Sequence, residues 1–142
     1  MDCGAYCLLI RFRRRQRLRV GRLGVFDFPA GFYVYCGSAL GGLAARLRRH
    51  VRKAKRLHWH IDYLLASPAA EIVETRTYPS ERRLECVLAR AVLATPGARV
   101  VAPGFGSSDC RAGCPAHLIY FPRRPALPAR DGLKGLPDGP AD

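Results

Sequence analysis

Apolar and polar positions recur along this chain with spacings that separate strands from helices. Residues 4–10, GAYCLLI, are almost wholly apolar and short, which predicts a buried strand. Residues 11–19 interleave arginines with Phe12, Gln16 and Leu18, as an exposed hairpin arm does. Its two strands are expected at 16–20 and 22–28, turning at Gly21. After the turn at Pro29-Ala30-Gly31, FYVYCG at 32–37 is rich in aromatic and β-branched residues and predicts a second buried strand. Gly37-Ser38 and Gly41-Gly42 then punctuate a loop.

A helix is predicted over 43–54, where Leu43, Leu47, Val51 and Ala54 form an apolar stripe and Arg46, Arg49, His50 and Lys53 a second one. HWHIDYLLAS at 58–67 reads as a short helix ended by Pro68, and AEIVETRT at 70–77 as a strand. A third helix is expected over 80–94, with Leu84, Val87, Leu88, Ala91 and Val92 on its buried face. A loop rich in Gly, Ser and Cys spans 102–115, and AHLIYF at 116–121 is a last strand. From Pro122 onward there are five prolines and three glycines in 21 residues without periodicity. The expected organisation is one domain over 1–122 and a disordered tail over 123–142. No internal repeat is visible. The fold class that follows is α+β: a small central sheet of about three strands flanked by helices, with an inserted basic hairpin.

Length changes this picture little, since 142 residues suffice for one domain with its own core. No apolar run reaches 18 residues. Asp2 and a short apolar stretch precede the first arginines, the reverse of a secretory signal, so a cytoplasmic setting is expected. There the six cysteines would be thiols or metal ligands.

Charge changes it more. The net charge is +13, and residues 3–61 account for all of it, with 14 basic residues against Asp27 alone. The remainder holds ten of each sign. Codon bias explains a preference for Arg over Lys but not the avoidance of acids in one stretch. A field this lopsided points to a polyanion, with DNA as the expected partner and RNA not excluded. Arg13, Arg14 and Arg15 of the arm and Arg49, Arg52 and Lys53 of the helix are the expected phosphate contacts.

Candidate chemistry lies in an ordered set of residues. Gly4-Ala5-Tyr6 is on the first strand and Tyr35-Cys36-Gly37 ends a later one. Arg46 follows eleven residues after Tyr35, His50 one helical turn after that, and Glu85 opens the third helix. This order resembles the GIY-YIG nuclease superfamily. FYVYCGSA, RLRRH, HWHIDYLL and GSSDC together are similar to a subfamily of small proteins within it, over residues 1–121. Ala5 and Cys36 replace the isoleucines of the family name, and 29 residues separate Tyr6 from Tyr35, a wider gap than usual that the basic arm at 11–31 fills.

The resemblance implies a metal-dependent endonuclease that hydrolyses phosphodiester bonds in DNA repair or processing, beside a DNA-repair partner. Glu85 would hold one Mg²⁺ or Mn²⁺, an ion that binds through few carboxylates and keeps its waters. Arg46 would grip the phosphate with its planar fork. Tyr6 and Tyr35 would deprotonate or orient the water, and His50 would assist proton transfer. Gly37 would let the nucleic-acid backbone approach. Glu81 is the fallback metal ligand. The alternatives are an inactive nucleic-acid-binding module on the same fold and a zinc-stabilised interaction domain.

Two further groups carry weaker signals. His58 and His60 flank Trp59, and in a helix they diverge by about 200°, so the aromatic is expected to anchor the segment. Cys110, Cys114 and His117 lie close together, but their spacing is not that of a recognised zinc finger and a fourth ligand is not obvious, with Cys3 or Cys7 of the first strand as the candidates. Free thiols are expected there rather than structural Zn²⁺. Gly106-Ser107-Ser108 offers backbone N–H groups to a phosphate.

Overall fold

The apolar run at the start of the chain becomes the middle of a sheet. A computed structural model describes residues 2–107, 110 and 113–130. In it β1 (Gly4–Phe12) is flanked on one side by β4 (Gly31–Ala39) and on the other by β5 (Ala70–Pro79). A short β6 (Leu118–Phe121) pairs with the far side of β4, giving the order β5-β1-β4-β6, antiparallel throughout. The class is α+β as expected. The main sheet has four strands rather than about three, because the four residues of β6 add an edge to β4.

β1 and β4 form one long hairpin, with Gly4 opposite Ala39 and Phe12 opposite Gly31. Its connection carries the separate two-stranded sheet of β2 (Gln16–Val20) and β3 (Gly24–Phe28). The turn is as the sequence indicates: Gly21 has φ 48°, a left-handed conformation that favours glycine. Val20 and Phe28 are fully buried, while the arm arginines all face outward.

Alternation along β1 divides the core in two. Tyr6, Leu8, Ile10 and Phe12 pack with Tyr33, Leu43, Ile61, Leu64 and Phe105. Ala5, Cys7 and Leu9 pack with Val34, Cys36, Leu88, Val92 and Phe121. The first face is covered by α1 (Leu43–Val51), α2 (His60–Leu65) and the β2–β3 sheet; the second is covered by α3 (Glu85–Leu93).

Three boundaries differ from expectation by three residues or more. α1 ends at Val51 because Arg52 is extended, and Lys53 Nζ then reaches the carbonyls of Leu65, Ser67 and Ala70 at 2.7–3.3 Å. α3 starts at Glu85, not at 80, since Ser80 Oγ accepts the Arg82 N–H and holds a turn there. Residues 123–130 lie against β5 instead of trailing away: Leu127 is buried, and Tyr78 Oη donates to the Pro128 carbonyl at 2.6 Å. Arg76 also donates to the carbonyls of Leu127 and Pro128, and Arg130 Nε to that of Thr77. The folded unit thus reaches at least 130. The rest of the expected tail, 131–142, lies outside the described residues, as do Ser108 and Asp109. Among the described residues no helix is long and apolar enough to cross a membrane.

Candidate functional site

Gly37 sits opposite Tyr6 in the β1–β4 register. A β-carbon at Gly37 would lie 2.6 Å from Tyr6 Cζ and Oη, so the phenol occupies the space a side chain would take. The glycine is buried beneath that ring, which corrects its expected role as a nucleic-acid contact. Gly106 does the same for Tyr35: its φ is 71°, and a β-carbon there would lie 3.1 Å from the ring.

The seated Tyr6 meets α1. Its Oη lies 2.7 Å from His50 Nε2, and Tyr35 is 6.3 Å from Tyr6 between ring centroids. His50 is 2 % exposed whereas Val51 is 64 % exposed, so the inward face of α1 is rotated from the expected Leu43–Val51 stripe. Leu43 and Leu47 still pack inward, but a histidine bonded to a phenol takes the place of the valine. His50 Nδ1 has no hydrogen-bond partner among the described residues.

Arg46, one turn before His50, lies beside the Tyr6 phenol and donates from Nη1 to the Ser38 carbonyl at 2.9 Å. Ser38 Oγ donates to Glu85 Oε2. Ser38 is thus a two-sided link: its carbonyl serves the helix on one face of the sheet, and its hydroxyl the helix on the other. Tyr6, Tyr35, Arg46, His50 and Glu85 are brought together in this way around the end of β4. Glu81, the fallback ligand, is exposed and precedes α3.

Burial pushes Tyr6 up to about 12, against the pull of the Arg46 charge. Burial also raises Tyr35, with Tyr6 adding to the effect. Burial, helped by the Lys55 charge, pushes His50 down to about 4. At neutral pH the cluster is two phenols and a neutral imidazole. Burial disfavours both the Tyr6 phenolate and the His50 imidazolium, so the proton stays on Tyr6. Tyr6 is therefore a hydrogen-bonding group here and not a ready base.

Several expected phosphate contacts have work inside the fold. Both terminal nitrogens of Arg49 donate to Asp62, at 2.8 and 2.9 Å, and Asp62 is fully buried. Asp62 Oδ2 also accepts the backbone N–H groups of His58 and Trp59, capping α2. Burial alone would raise this carboxyl; Arg49 and the two N–H groups hold it below its ordinary value. The guanidinium groups of Arg46 and Arg49 both pack on the Trp59 ring, 4.4 and 4.2 Å from its centroid. Trp59 does anchor its segment, as expected. Lys53 is tied to three carbonyls as described, and Arg13 donates to the Pro68 carbonyl at 2.7 Å. Arg15 pairs with Asp27 at 3.2 Å, and Arg14 and Arg52 are exposed. The Gly106 N–H donates to His60 Nδ1 at 2.8 Å, so that group of the expected phosphate turn is already engaged.

A second cluster lies one residue beyond Glu85. The ligand atoms of Cys86, Cys110, Cys114 and His117 all fall within 4.8 Å of one another, a group that could hold a metal ion. The missing fourth ligand is Cys86, not Cys3 or Cys7. It stands 24 residues before Cys110, on a helix, where no local spacing could reveal it.

No curated protein and no solved structure matches the chain. Residues 5–131 match the sequence family described as domain of unknown function DUF123. That match runs from β1 through the segment packed against β5, and the chain belongs to this family.

Proposed function

We propose that the chain is a divalent-metal-dependent endonuclease of GIY-YIG type acting on DNA, with RNA as a substrate to be compared. The observation that carries this reading is the pair of linked sets Tyr6–His50 and Arg46–Ser38–Glu85 at one end of the sheet, with Arg46 beside the Tyr6 phenol. It joins a phenol pair, a phosphate-binding fork and a carboxylate, the groups that phosphodiester hydrolysis needs. A Mg²⁺ or Mn²⁺ ion would supply a water of lowered pKa and charge compensation. Glu85, half-exposed at the start of a rigid helix beside the Ser38 hydroxyl, suits an ion that takes few protein ligands.

The chain's own residues do the rest. Arg46 holds a phosphate oxygen while Ser38 fixes its orientation. Tyr6, protonated and held by His50, donates to or orients the attacking water rather than taking its proton. Trp59, stacked on the guanidinium, keeps Arg46 from swinging into solvent. The exposed arm arginines bind the flanking backbone. The cytoplasm is the proposed setting, and a DNA-repair protein the proposed partner.

A panel of labelled DNA and RNA duplexes, flaps, junctions and single strands, incubated with Mg²⁺ or Mn²⁺, tests this. The wild type should cut at least one class. Glu85→Gln should reduce cleavage by at least about 100-fold, the scale for losing a principal electrostatic group. Binding should be kept or strengthened, because a negative charge near phosphate is gone. Glu81→Gln should retain activity. A second reading, a module that binds without cutting, draws on the protonated state of both phenols. Tight binding with no cleavage of any substrate by the wild type would select it.

A further inference from the structure

We propose that Cys86, Cys110, Cys114 and His117 form a structural Zn²⁺ site that fastens the loop before β6 to the first turn of α3. This does not rest on the nuclease reading. Cys86 Sγ lies 3.4 Å from Cys110 Sγ and 3.6 Å from His117 Nε2. A tetrahedron with zinc–sulfur bonds of about 2.3 Å and a zinc–nitrogen bond of about 2.0 Å has edges of roughly 3.5–3.8 Å. These two edges are close to those dimensions, and all four ligand atoms lie within 4.8 Å of one another, so small adjustments complete the shell.

The donor chemistry narrows the ion. Three sulfurs and one imidazole, with no carboxylate among them, suit a soft or borderline cation and not Mg²⁺ or Ca²⁺. Four protein ligands leave no open position, which marks a structural site rather than a catalytic one. His117 is prepared for ligation. Its backbone is fixed on both sides, donating to the Phe105 carbonyl at 2.8 Å and accepting from the Cys36 N–H at 2.9 Å.

The position explains a gap in the fold. α3 begins without a side-chain cap from Leu84. An anionic thiolate cluster at Cys86 sits where the helix dipole favours negative charge. Thiols alone would fasten this junction poorly, because S–H groups are weak donors. A cation bound to all four groups ties a helix start to a loop more than twenty residues away. It thereby holds Glu85 against Ser38.

Metal analysis of protein purified without added chelator should find about one zinc per chain. Exchange for Co²⁺ should give the thiolate charge-transfer and tetrahedral d–d bands of a sulfur-rich site. Cys86→Ser and His117→Ala should lose the metal, His117→Cys should keep it, and Cys3→Ser should bind as the wild type does. Stripping the zinc should lower the melting temperature by about 10 °C or more. If the ligand variants fail to fold, the wild-type stoichiometry and cobalt spectrum decide alone. Wild type that binds neither Zn²⁺ nor Co²⁺, or that carries a Cys86–Cys110 disulfide with no metal, overturns the proposal. Zinc content and melting are read without any nucleic acid, so this result and the cleavage result stand apart.

Discussion

His50 shows how one buried side chain writes pH into stability. Its imidazole is neutral in the fold, held down to about 4, while the unfolded chain titrates near 6.5. Between these values the unfolded state binds the extra proton. Stability therefore falls as pH drops below about 6.5 and levels off below about 4, by on the order of 3 kcal/mol. Urea unfolding at pH 7 and pH 4.5 should show a smaller difference for His50→Gln than for wild type. His60 and His117 are shifted in the same direction, so the comparison of the two proteins isolates His50. An equal pH dependence in both proteins would mean the histidine is not neutral when folded. The sequence marked His50 through its place after Arg46, yet it gave the apolar stripe to Val51. Periodicity alone cannot distinguish an inward histidine with a phenol partner from an outward one. Gly37 was legible as a place of close approach, but what approaches is Tyr6 from the neighbouring strand. Ser38 and Cys86 were not legible at all, because each acts through residues far along the chain.

Among the elements, the β2–β3 sheet and the residues leading into it carry the exposed arm arginines. The sheet's position in the β1–β4 connection follows from the sequence, where alternation and Gly21 mark a hairpin between two apolar runs. The use of its charges does not follow so directly. Arg13 bonds the Pro68 carbonyl, and Asp27 faces both Arg15 and Arg17 across the hairpin. These contacts are solvent-exposed and individually weak, so phosphate can compete for the same side chains. Replacing Arg13, Arg14 and Arg15 by Ala should lower the slope of log affinity against log salt on duplex DNA by about 0.9 for each lost contact. It should weaken all sequences alike. A slope identical to wild type would make the arm a solvated surface. Arg49 and Lys53, by contrast, spend their donors on Asp62 and on the turn before β5. Like-charged neighbours on one helix face look equivalent in sequence, and only burial of a distant acid tells them apart.

Across the whole molecule, the segment after β6 belongs to the body. Leu127 is buried against the α3 face, and three side chains of β5 and the segment bond across to one another's backbone. Proline content concealed this, because a proline-rich strand of chain docked by side chains has no period to read. A chain ending at 122 should therefore unfold at a lower urea concentration than one ending at 130. Equal midpoints would return the segment to a passive tail. The sheet order has a temporal consequence as well. β1 is the first strand made, yet it lies between β4 and β5, whose partner residues end at Ala39 and Pro79. At about 5–20 residues per second, the ribosome needs roughly 4–15 s to make the stretch from β1 to the end of β5. Throughout that interval a strand that is apolar but for Arg11 has at least one unpaired edge. The nascent chain thus depends on something to shield this strand until its last neighbour arrives.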